Sequence, residues 1–66
     1  MQIEMLIKEI RTEKKLTLKK LSILSGLSVT YINELENNLK CPSVITIEML
    51  SKALKVDIKE LYRIKN

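Results

Sequence analysis

The chain has 66 residues, 45% of them hydrophobic and 30% charged, with a formal net charge of +4. One Cys and no His exclude an internal disulfide, a metal cluster of the usual ligands and a Cys-His nucleophile pair, and no run approaches the ~20 apolar residues of a membrane span. The composition suits one compact helical domain over residues 1–66, cytoplasmic, with no cofactor, metal or small-molecule ligand evident.

In chain order, residues 1 to about 14 read as a first helix, with Ile3, Leu6, Ile7 and Ile10 recurring at intervals of three and four. Lys14, Lys15, Lys19 and Lys20 follow with no acid among them, a stretch that on charge alone is equally a solvated face or a contact for an anion. Thr17 is a good cap for a second helix carrying Leu18, Leu21 and Leu24, with Ser22 and Ser25 as its small members. That wheel leaves Ile23 near the surface. Gly26, the single glycine, stands where a helix must stop and the chain reverse, because glycine takes positive φ without steric penalty.

Ser28 then opens a third helix. At 100° per residue Tyr31, Ile32 and Leu35 fall on one face, and Val29, Thr30, Asn33 and Asn37 on the opposite one. The loop through Asn38, Lys40, Cys41 and Pro42 leads to Ser43, a cap for a fourth helix over 44–55 with Ile47, Leu50, Ser51 and Leu54 inward. Asp57 caps a last short helix, about 58–63, in which Leu61 closes the core and Ile58, Tyr62 and Ile64 are apolar surplus. Cys41 is a lone thiol, expected to stay reduced.

Two short helices, a glycine-bearing turn and a small polar outer face form the plan of a helix-turn-helix. Arg11, Leu21-Ser22, Gly26, Ser28, Ile32, Glu36, Pro42-Ser43, Leu54 and Val56 stand in the order and spacing of the Cro and lambda-repressor-like family (XRE-type), which the chain resembles from about Ile7 to Leu61. The resemblance implies an all-α, compact five-helix bundle with helices two and three as the helix-turn-helix. It also implies a transcriptional regulator, a repressor in the leading reading, that binds double-stranded DNA at a palindromic operator as a homodimer.

From the same resemblance, Val29, Thr30, Asn33 and Glu34 would meet bases, with Asn33 suited to a bidentate pair with adenine. Thr17, Lys19, Lys20, Ser28, Asn37, Asn38 and Lys40 would meet the DNA backbone. Arg11 and Glu36 would form a structural ion pair, and Ile58, Tyr62 and Ile64 would supply a dimer surface. Lys15 and Asn38 occupy positions where the family usually has glycine, so left-handed backbone is expected at both; Leu18 replaces a usual glutamine. Against DNA binding stands the absence of any basic residue on the third helix, which carries Glu34 and Glu36. The competing reading is a protein-interaction module, such as an antitoxin or accessory subunit, using Ile23, Ile45 and Met49. No carboxylate pair or glycine-rich loop is placed for chemistry, so an enzyme is not expected.

Overall fold

The computed structural model describes the backbone of residues 2–65 and the side chains of residues 3–64. Its elements are β1 (Gln2–Met5), α1 (Ile7–Glu13), α2 (Leu18–Ser25), α3 (Val29–Glu36), α4 (Val44–Leu54), a 3-10 turn (Ile58–Glu60) and β2 (Tyr62–Lys65). The architecture is four helices with a two-stranded antiparallel ribbon joining the ends of the chain.

Two helical expectations are corrected. The first helix, placed at residues 1 to about 14, starts only at Ile7: residues 2–5 are extended, and position 1 lies outside the described residues. The fifth helix of 58–63 is a single 3-10 turn followed by strand, so the bundle has four α-helices and not five. The reason is mutual. Ile3 and Met5 alternate with Glu4, Tyr62 and Ile64 alternate with Arg63, and the pairings Ile3↔Ile64, Glu4↔Arg63 and Met5↔Tyr62 put matching side chains on matching faces. Each four-residue segment is compatible with either helix or strand alone; the partner decides.

Helix boundaries follow local chemistry. The Thr17 hydroxyl accepts from the Lys20 N–H at 3.0 Å, Ser28 from Tyr31 at 3.0 Å and Ser43 from Thr46 at 3.1 Å, each satisfying an N–H that has no partner within its helix. Gly26 ends α2 in left-handed backbone, φ 81°, where its N–H reaches the Ser22 carbonyl at 2.9 Å. Among the described residues a Cβ built there would meet only Met49 Cε, at an ordinary 3.8 Å, so conformation and not space calls for glycine. Lys15 (φ 59°) and Asn38 (φ 59°) are left-handed as expected, and Lys55 (φ 57°) ends α4 the same way, a third such position that had not been anticipated.

The core takes Met5, Ile7, Leu21, Ile32, Leu35, Leu50, Leu54 and Leu61 from every part of the chain. Ile32 and Leu35 are fully buried, each contributing roughly 1.5–3 kcal/mol relative to exposure, and they press the inner face of α3 onto the bundle. Thr46, not expected inside, is buried because its hydroxyl lies within 3.0 Å of Ser43 Oγ and 3.3 Å of Tyr31 Oη. Leu24 is 48% exposed, since the short α2 turns Leu21 and Ser25 to the core.

Candidate nucleic-acid interface

The α2–α3 turn is held by side chains that the sequence supplies within a few positions. Ser22 Oγ donates to the Leu27 carbonyl, and the Leu27 N–H donates to Ser25 Oγ at 3.2 Å, so the turn has no strand or partner to depend on. Past it, α3 is fastened at both ends. Tyr31 joins it to the buried Thr46 of α4, and Glu36 joins it to α1.

The second fastening is the stronger. Arg11 Nε donates to Glu36 Oε2 at 2.7 Å and Arg11 Nη2 to Oε1 at 3.1 Å, a planar two-pronged pair whose side chains are only 11% and 3% exposed. Arg11 Nη1 also donates to the Leu16 carbonyl at 2.8 Å, so one guanidinium binds α1, the turn before α2 and the end of α3. The hydrogen bonds to Glu36 raise the Arg11 pKa above its ordinary value, against the opposing effect of burial. A raised arginine stays charged below that value and is lost only as pH rises through it, so this side of the pair is constant throughout the neutral range.

With Tyr31, Ile32 and Leu35 turned inward, Val29, Thr30, Asn33 and Asn37 are exposed together along the outer face of α3. Glu34 does not share that position fully: it is half-buried, and its carboxylate lies 3.6 Å from Lys40 Nζ in the following loop. Glu36 is thus spent on Arg11 and only Glu34, beside Lys40, is left near the open face, which lessens the objection raised by an acidic third helix. The hydroxyls of Thr17 and Ser28 are engaged as caps, at the amino-terminal ends of α2 and α3. Lys19 and Lys20 are exposed on the first turn of α2, and Asn38 and Lys40 on the loop after α3. An unforeseen contact closes the outer face: Asn37 Nδ2 donates to the Asn33 carbonyl at 2.8 Å and to Asn33 Oδ1 at 3.2 Å.

On the side beyond Lys40, the ribbon and the start of α4 enclose an apolar groove of about 530 Å³. Ile58, Tyr62 and Ile64 line it, as do Ile3, Val44 and Cys41, which sequence reasoning had not joined to them. Ile3 was unreadable as a groove residue because its position depends on pairing with Ile64. Of the apolar residues proposed for protein interaction, Ile23 and Ile45 are 67% and 72% exposed, but Met49 is half-buried against Gly26. Among the described residues no cluster of His, Cys, Asp and Glu could hold a metal ion, and no helix is long and apolar enough to cross a membrane.

The sequence matches the family described as helix-turn-helix over residues 7–61, from the start of α1 to the end of the core. No curated protein matches it. Among solved structures it is similar to the restriction-modification controller protein C.AhdI from Aeromonas hydrophila, with 33% identity over 82% of each chain and a TM-score of 0.80. The N-terminal DNA-binding domain of SinR from Bacillus subtilis is 33% identical over 80% of this chain and 78% of its own, with a TM-score of 0.74. A variant of the controller protein C.Esp1396I bound to its highest-affinity operator site is 33% identical over 83% of this chain and 76% of its own, with a TM-score of 0.76.

Proposed function

The chain belongs to the XRE-type helix-turn-helix family of DNA-binding transcriptional regulators, and from that premise we propose that it is a repressor that occupies a palindromic operator as a homodimer. In this reading α3 enters the major groove of each half-site. The observation that carries it is the combination at α3: an outer face of Val29, Thr30 and Asn33 left open, on a helix locked from behind by Arg11–Glu36 and Tyr31–Thr46. A reading element must be both exposed and held still.

Asn33 and Thr30 supply hydrogen bonds to base edges, Val29 an apolar contact with a thymine methyl, and Glu34 discrimination against bases that present acceptors. Lys19, Lys20 and Lys40, with the hydroxyls of Thr17 and Ser28 and the side-chain amide of Asn38, meet phosphates and supply most of the affinity, while the Asn37 side chain, expected there as well, is engaged by Asn33. The second subunit packs across the groove at Ile58, Tyr62 and Ile64. A two-fold pairing there that keeps both α3 helices on one side of the dimer meets two half-sites about 34 Å apart. Occupying a promoter-overlapping operator excludes other proteins sterically, and repression follows.

Selection of duplexes from a random pool, followed by binding of the winners at low and high salt, tests the reading. The pool is expected to converge on an inverted repeat whose affinity falls linearly with log salt, with a slope of about 0.9 per phosphate neutralised. A pool that does not converge, or binding indifferent to salt, would overturn it. Replacing Asn33 by Ala is expected to cost about 1–3 kcal/mol on the selected operator and little on random duplex.

A further inference from the structure

The polar outer face of α3 contains one hydrogen-bonded pair, Asn37 on Asn33, and the chemistry of that pair has a direction. Asn33 O is a backbone carbonyl and can only accept; it already receives the Asn37 N–H at 3.1 Å as the last turn of α3 closes. The side-chain group of Asn37 that lies 2.8 Å from it must therefore be the NH2. The second hydrogen of the same NH2 faces Asn33 Oδ1 at 3.2 Å, and a reversed Asn33 amide would set NH2 against NH2 there. A carbonyl that cannot flip thus fixes the sense of one amide, and that amide fixes the sense of the next.

We propose that Asn37 is a positioning residue for base reading: it holds the Asn33 amide with Oδ1 turned along the helix and Nδ2 leading toward the base edge. The inference rests on the reading of Asn33 as a base contact. An Asn free to flip offers either a donor or an acceptor at almost no cost. A fixed one does not. With Oδ1 engaged by Asn37 and Nδ2 unengaged among the described residues, Asn33 is a donor-led reader. It matches edges that present acceptors, the N7 and O6 of guanine or the O4 of thymine, better than the mixed donor and acceptor edge of adenine. The role also differs from a phosphate contact, since Asn37 spends both amide hydrogens on Asn33.

The test is selection from a random duplex pool with the parent and with Asn37→Ala, Asn37→Asp and Asn33→Ala, comparing base preferences within each variant. An added negative charge then lowers all affinities alike and cancels. Asn37→Ala is expected to lose about three- to tenfold of the discrimination at one base pair per half-site, read as the ratio of affinities for the preferred and disfavoured bases within that variant. Asn37→Asp, which can only accept, is expected to turn the Asn33 NH2 toward itself and shift the preference at that base pair to donor edges, adenine or cytosine. If Asn37→Ala keeps the parental preference while Asn33→Ala loses it, the positioning role is wrong and base reading by Asn33 survives. If Asn33→Ala itself keeps every preference, Asn33 reads nothing and both fall.

Discussion

In the α2–α3 unit, every boundary is set by a residue a few positions away: Thr17 accepts from Lys20, Gly26 adopts left-handed backbone, Ser28 accepts from Tyr31. In the β1–β2 ribbon nothing is local. Met5 meets Tyr62 and Glu4 bonds Arg63 across almost the whole chain. The first unit is specified by cap and turn chemistry that costs little chain entropy, whereas the second forms only once the core has brought the two ends together. In the proposed function the division has a functional side, because the locally specified unit carries the face assigned to DNA and the non-local one carries the apolar groove.

The Arg11–Glu36 pair, like Tyr31–Thr46, ties this unit to a distant part of the chain, and it is the stronger of the two contacts that place α3. Replacing Glu36 by Ala would leave the largely buried Arg11 without its carboxylate, and we expect a loss of about 3 kcal/mol in denaturant unfolding. Replacing both residues by apolar ones of similar size should recover much of it, since desolvation offsets most of the attraction. A single replacement that costs less than about 1 kcal/mol would show that α3 does not depend on this pair for its placement.

Gly26→Ala probes the local rule directly. Its Cβ would meet only the mobile end of Met49, so the expected loss of about 1–2 kcal/mol in thermal or chemical unfolding is conformational. Lys55→Gly reverses the sign: a lysine at φ 57° gives way to a residue at ease there, and stability should rise by about 0.5–1 kcal/mol. If both substitutions proved neutral, left-handed backbone would not be what ends these helices.

Ile64→Lys isolates the ribbon. Ile64 is 55% exposed, so the folded monomer should change by no more than about 0.5 kcal/mol. If the proposed dimer forms across the groove, its self-association measured by sedimentation velocity should nonetheless weaken by about tenfold or more, because a charge would then be buried against the partner. Unaltered association would move the dimer surface away from the groove.

The sequence was legible where one residue type has one physical reason to be present. Ser28, Gly26 and the inward stripe of Ile32 and Leu35 located the helix-turn-helix, and the spacing of Arg11 and Glu36 carried the family resemblance. It was misleading at the ends, where Ile3, Leu6 and Ile7 satisfy a helical period although residues 2–5 belong to a strand. A four-residue apolar pattern does not distinguish the two periods.

By itself, then, the order of residues determined the capped helices, the turn between α2 and α3, and which face of α3 would be open, because these depend on hydrogen bonds and periodicities spanning a few positions. Only the tertiary structure decided that the chain ends form a ribbon, that Ile3 joins Ile58, Tyr62 and Ile64 in one groove, that Thr46 is buried under Tyr31, and that Lys40 lies beside Glu34. Those outcomes depend on which distant surfaces meet when the core closes. No local pattern encodes such a meeting.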